Sequence, residues 1–148
     1  MKPNWNEITK FDGPESSPGF LLWQVSTKWR RLIEAKLLTI GLTHPQFVLL
    51  ASLGWLTRDG ALISQVDLAR HCSTDITMTS QVLRTLESKG YIERVKQEGN
   101  ERSKFPKLTK NGAKLIEQAI PLVEGVDAHF FGAEAKKSVL VLQKLLST

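Results

Sequence analysis

The sequence predicts a mainly α fold with a small β-wing: a winged helix-turn-helix set between helical chain ends. Three observations predict it. Between Ser64 and Thr109 a short helix, a turn, a second helix and two strands with a polar, charged tip follow in that order. Apolar residues at helical spacing fill the stretches before and after this block. The single cysteine excludes an internal disulfide framework, and no apolar run approaches the roughly 20 residues that cross a bilayer.

In chain order, Met1 to Ser17 lack periodicity and carry Pro3, Gly13 and Pro14, which predicts an irregular arm with Trp5 and Phe11 as its anchors. It reads either as a flexible tail or as an arm that reaches a partner subunit. From about Pro18 to Thr39, Leu22, Val25, Trp29, Leu32, Ile33 and Leu37 recur at helical spacing while Lys28, Arg30 and Arg31 point outward; Gly41 ends this helix. Thr43 can cap the next helix, with Pro45 early in it, where a missing N–H costs little. That helix is expected to reach about Thr57 with Phe47, Leu50, Ala51 and Leu53 inward. Arg58-Asp59-Gly60 then turns the chain into Ala61-Leu62-Ile63, expected as a short strand beside the wing.

Ser64 caps a helix ending near His71, with Asp67 in its first turn, where a carboxylate complements the positive helix end. Val66, Leu68 and Ala69 form its apolar side. Ser73, Thr74 and Asp75 make the turn, because their side chains compete with helical hydrogen bonds. The second helix is expected from about Ile76 to Lys89, closed by Gly90 in the left-handed conformation. Val82, Leu83 and Leu86, with Ile76 and Thr79 one or two turns earlier, share the face that packs on the first helix. Tyr91 to Val95 alternates as a half-buried strand does, and Phe105 to Leu108 returns antiparallel, with Gln97 to Lys104 as the tip. Pro106 removes a donor and makes the returning strand an edge. Thr109 caps a helix running to about Phe131, in which Pro121 predicts a kink or brief break; Glu134 to Leu146 forms the last helix.

The second helix of the central block carries Thr77, Ser80, Gln81, Arg84 and Ser88 opposite its packing face, and every one can donate a hydrogen bond. Read plainly, this is a solvated helix face. Read functionally, it suits the major groove of DNA, where Arg pairs with guanine and Gln with adenine. The adjoining wing favours the second reading, since Arg102 at its tip suits the negative potential of a minor groove. The candidate DNA-contacting set is therefore Thr77, Thr79, Ser80, Gln81 and Arg84 on the helix, with Arg102, Ser103 and Lys104 on the wing. A net charge of +5 and a pI near 9.5 suit an anionic partner, although a modest basic balance is common among proteins that bind nothing acidic.

The runs Leu86-Glu87-Ser88-Lys89-Gly90-Tyr91-Ile92-Glu93-Arg94, Asn100-Glu101-Arg102-Ser103-Lys104 and Leu108-Thr109-Lys110-Asn111-Gly112 resemble the MarR family of bacterial transcription regulators. Gly41-Leu42-Thr43-His44-Pro45-Gln46-Phe47 is similar to that family's entry into its second helix, and the likeness extends from about Ser17 onward. The resemblance implies a homodimer on a pseudo-palindromic operator of double-stranded DNA, acting as a repressor that a small aromatic or phenolic ligand relieves. Apolar surface beyond the needs of a small winged domain also calls for a two-fold interface built from both chain ends. The chain then divides into an arm (1–17), a first dimerisation helix (18–40), a winged DNA-binding region (41–109) and C-terminal dimerisation helices (110–148). Where the family usually has Asp two residues before the wing Arg, Asn100 stands here; it keeps the turn-forming side chain without the charge, and Glu101 is the residue placed to substitute.

The family's ligands occupy a cavity between dimerisation helices and reading head, which makes Trp23, Trp29, His44 and Trp55 its candidate lining; as aromatics at helical spacing they read equally as core. Cys72 reads as a buried, inert thiol, or as a redox sensor if Arg70 and a helix end lower its pKa; family sensors sit near the first helix, which has no cysteine here. Nothing points to an enzyme, a cofactor or a metal. The three histidines are scattered, no Gly-rich phosphate loop appears, and His71-Cys72 lacks a second ligand pair. With no secretory signal ahead of the first helix, the cytoplasm is the expected compartment. The rival reading is a winged-helix module that uses the same surfaces to bind acidic proteins.

Overall fold

The computed structural model describes residues 1–148 apart from the side chain of Glu101, so the expectation that Glu101 substitutes for a wing Asp lies outside the described residues. Its elements are α1 (Trp5–Ile8), α2 (Pro18–Leu38), α3 (His44–Leu56), α4 (Gln65–Cys72), α5 (Ile76–Ser88), β1 (Ile92–Gln97), β2 (Asn100–Leu108), α6 (Lys110–Phe131) and α7 (Ala135–Leu146). Side-chain caps start most of them where the sequence places them. Ser17, Thr43, Ser64 and Thr109 each accept from the backbone N–H three residues on, and at Thr43 the Gln46 side chain reciprocates in a full capping box.

The core gathers Ile33 and Leu37 of α2, Leu49, Leu50 and Leu53 of α3, Leu68 of α4, Leu83 and Leu86 of α5, Ile92 of β1, and Leu115, Ala119 and Val123 of α6. Reading head and long helices thus share one apolar interior. At roughly 25 cal/mol per Å² of apolar surface removed from water, burying such side chains is the dominant stabilising term. The exterior is unusual at both chain ends. Leu22, Val25 and Leu32 of α2 are exposed, and α7 buries no residue while presenting Val139, Leu140, Val141, Leu142, Leu145 and Leu146.

Four expectations change. The arm is not wholly irregular: it holds the α1 turn and a 3-10 turn at Pro14–Ser16, although Trp5 and Phe11 stay exposed. Ala61-Leu62-Ile63 forms no strand; the sheet described has two strands, and this segment enters the Ser64 cap directly. The wing strands run further into the tip, leaving only Glu98 and Gly99 between them, with Gly99 supplying the positive φ of 84° that the turn requires. α6 passes through Pro121 as one continuous helix, so of the kink or brief break expected there the break does not occur. Pro121 costs it one backbone bond, which packing of Ala119 and Val123 on either side of the proline offsets.

The wing is antiparallel, pairing Ile92 with Leu108, Arg94 with Pro106 and Lys96 with Lys104; Gln97 then pairs with Asn100. The register therefore slips by three residues on β2, and Arg102 lies in the middle of the extra stretch. At its base Thr109 ties the hairpin to α6: its hydroxyl donates to the Gly90 carbonyl at 2.6 Å, and its N–H donates to Tyr91 O at 3.1 Å.

Candidate nucleic-acid interface

α5 is held from its N-terminus. Asp75 Oδ1 accepts from Met78 N at 2.9 Å, and Thr79 Oγ1 donates to the Asp75 carbonyl at 2.8 Å while meeting Thr74 Oγ1 at 2.7 Å. Ser73 supplies the left-handed residue, φ 54°, that turns α4 into this cap. Leu83 and Leu86 are buried on one side of the helix, and Thr77, Gln81, Arg84 and Ser88 are exposed on the other, with Ser80 half-buried between.

Thr79 is the correction within the DNA-contacting set. It is fully buried, and its hydroxyl is engaged with Thr74 and Asp75, so it holds the turn and has no surface to offer a base. The spacing already contained this result, because Thr79 precedes Leu83 by four and Leu86 by seven.

On the wing, Arg102 and Lys104 are exposed and Ser103 is half-buried. The register adds Lys96, which the sequence reading did not single out: it stands directly opposite Lys104. Two like charges facing each other across a ladder repel, and an anion between them removes the penalty. A plain two-residue hairpin about Glu98-Gly99 would have paired Lys96 elsewhere, so only the three-residue slip reveals the pair. Among the described residues Arg84 has no carboxylate partner, leaving its guanidinium available.

The four residues proposed to line a ligand cavity are not brought together. Trp29 and His44 meet edge to face, ring centroids 5.1 Å apart, and Trp29 Nε1 donates to Asp127 Oδ1 at 2.7 Å. Burial lowers the His44 pKa from its ordinary value and Arg30 acts in the same sense, against the opposing pull of Glu34 and Asp127. Trp23 is exposed on another face of α2, six residues from Trp29 and so about 120° away around the helix. Trp55 lies three turns along α3 from His44, roughly 16 Å on, where it is 61% exposed and carries the Arg58 guanidinium 3.6 Å above its ring. It borders a groove of about 350 Å³ whose other walls include Phe47, Ser52 and His71, with Val123 and Glu124 of α6. Cys72 is half-buried, neither sealed in the core nor fully open.

An exposed hydrogen-bonding helix, buttressed at its start by its own turn and followed at once by a basic two-stranded wing, is the arrangement of winged helix-turn-helix DNA-binding proteins. The comparisons with known proteins narrow the class. A family model described as "MarR family" matches residues 42–104. The chain is 44% identical over 140 residues to the HTH-type transcriptional regulator YdcH of Bacillus subtilis (strain 168), covering 93% of this chain and 95% of that one. To the multiple antibiotic resistance protein MarR of Escherichia coli (strain K12) it is 34% identical over 111 residues, 75% of this chain and 74% of that one. A crystal structure of a mutant of Escherichia coli MarR complexed with operator DNA superposes with a TM-score of 0.75 at 28% identity, covering 98% and 99% of the two chains. That of the Mycobacterium tuberculosis MarR family protein Rv2887 with salicylic acid gives 0.68 at 30%, covering 87% and 96%. The chain belongs to the MarR family of transcriptional regulators. No helix among the described residues is long and apolar enough to cross a membrane.

Proposed function

We propose that this chain is a homodimeric, sequence-specific repressor that reads a pseudo-palindromic operator in the cytoplasm. The observation that carries the reading is the continuity of Thr77, Ser80, Gln81 and Arg84 on the outer face of α5 with the basic wing bearing Lys96, Arg102 and Lys104. The helix side chains are of the types that read base edges, and the wing cations are of the type that reaches phosphates and the minor groove. The relative bound to operator DNA supports this assignment. Homodimerisation is supported by the exposed apolar residues of α2 and α7, which come from opposite ends of the chain and leave a large hydrophobic area uncovered.

Relief by a small aromatic or phenolic acid belongs to the same proposal. Its support is the Trp55 groove between α3, α4 and α6, a cleft with an aromatic wall, together with the salicylic acid complex of Rv2887. The groove takes Trp55 from the four candidates; Trp29 and His44 form a separate packed contact.

Selection of a randomised duplex pool by the purified protein at near-physiological salt, followed by sequencing, tests the reading. Recovery of a palindrome with half-sites about one helical turn apart is the expected result. Retention without a motif, vanishing as salt rises, leaves nonspecific electrostatics and moves the assignment to a protein-binding winged module. A panel of phenolic acids that neither bind nor weaken operator affinity removes the ligand from the proposal.

A further inference from the structure

We propose that Arg94 is a positioning residue that fixes the wing relative to α5, so that both engage DNA together; this rests on the DNA-reading function proposed above. Arg94 lies two residues up β1 from Ile92 and its side chain is only 19% exposed. Its Nη1 donates to Gln65 Oε1 at 3.1 Å, and its Nε lies 3.9 Å from Glu87 Oε1. Gln65 is the first residue of α4, and Glu87 sits in the last turn of α5, three residues after Arg84. One guanidinium thus joins the start of the first helix of the motif, the end of the reading helix and the root of the wing.

Below this point Thr109 joins the hairpin root to α6, and the Tyr91 N–H donates to Leu86 O of α5 at 2.9 Å. These bonds and the buried Ile92 hold the base of the hairpin, and Arg94 extends the hold two residues further up β1. Across the ladder from Arg94 stands Pro106, fully buried and rigid in φ, so the strand at this position is backed by a fixed surface. The chemistry requires arginine. Its planar fork presents Nε and Nη1 from two separate points, whereas a lysine offers its three donors from one point and cannot stand in the place of both nitrogens. Glu87 supplies the opposite charge that a largely buried guanidinium needs.

The test is a double-mutant cycle between Arg94 and Arg102, read as affinity for the selected palindrome and for random duplex. Arg94→Lys is expected to weaken the palindrome by about tenfold or more and random DNA by less than about threefold. Arg102→Ala, costly in the wild-type protein, is expected to cost less than about twofold in the Arg94→Lys background, because a wing that is no longer aimed has little to lose. Glu87→Gln removes the ion pair but keeps the Gln65 bond, and should give the same non-additivity in weaker form; it decides the matter if Arg94→Lys fails to fold. Wild-type affinity in both variants, or an undiminished cost of Arg102→Ala in their backgrounds, overturns the role given to Arg94. Absence of any sequence preference in the wild-type protein overturns the DNA reading itself.

Discussion

Trp29 of α2 and His44 of α3 meet edge to face at 5.1 Å and 68°, with the indole N–H given to Asp127 of α6, so three helices converge on one aromatic pair. Burial holds the imidazole below its ordinary pKa, which sets a sign for the acid response. Above the unfolded-state value of 6.5 both states are neutral and stability is complete; as pH falls through 6.5 the unfolded chain takes up the proton first and stability declines until the folded-state value is passed. Thermal unfolding at fixed protein concentration should therefore fall more steeply below pH 6.5 in the wild type than in His44→Phe, which keeps the ring contact without the titration. Parallel curves would mean that His44 contributes nothing to the acid limb.

Gly112, three residues into the Thr109-capped helix, has no room for a side chain. A Cβ there would meet the Tyr91 carbonyl oxygen at 2.0 Å, and backbone cannot swing aside as a side chain can. Gly112→Ala should destabilise by about 3 kcal/mol or more, at the upper end of overpacking. Chemical denaturation measures it; a loss under about 1 kcal/mol would show that α6 slides on the wing root with ease.

Thr79→Val should lower stability by roughly 1–2 kcal/mol, since a methyl replaces the hydroxyl that engages Thr74 and Asp75 without a change of shape. Operator affinity per folded molecule should stay near wild type. A selective loss of affinity at unchanged stability would return Thr79 to the contact surface.

Arg84→Ala should cost roughly 1–3 kcal/mol on the preferred sequence and relax specificity at one position, as removal of a guanine contact does. Lys104→Ala, and Lys96→Ala beside it, should weaken all sequences alike and flatten the salt slope by about one. Equal losses on specific and random DNA for all three would refute this division between helix and wing.

Local chemistry made much of this legible. The caps at Thr43, Ser64 and Thr109 depend on side chains within three residues of the backbone they satisfy, so the sequence alone locates these helix starts. Periodicity likewise separated Leu83 and Leu86 from Gln81 and Arg84. What stayed hidden depends on partners far along the chain. Arg94 meets Gln65 29 positions away and Trp29 meets Asp127 98 positions away, and no local pattern encodes either. The Lys96–Lys104 pair depends on the three-residue slip in register, which no local pattern announces. Ala61-Leu62-Ile63 failed as a strand for a related reason: β-propensity over three residues is weak without a ladder partner to fix it. At Pro121 the sequence allowed a kink or a brief break, and α6 runs on to Phe131 without the break, with Ala119 and Val123 buried on either side.

That unbroken α6 is also a mechanical element. Its 22 residues span about 33 Å, with Gly112 pressed on the wing root near one end and Asp127 bonded to Trp29 near the other. Those two contacts lie 15 residues, about 22 Å, apart, so a tilt of about 5° at the Trp29 end moves the other by roughly 2 Å, a little over half the rise of one base pair. The packing at the aromatic end and the seat of the wing root are therefore set by one and the same helix.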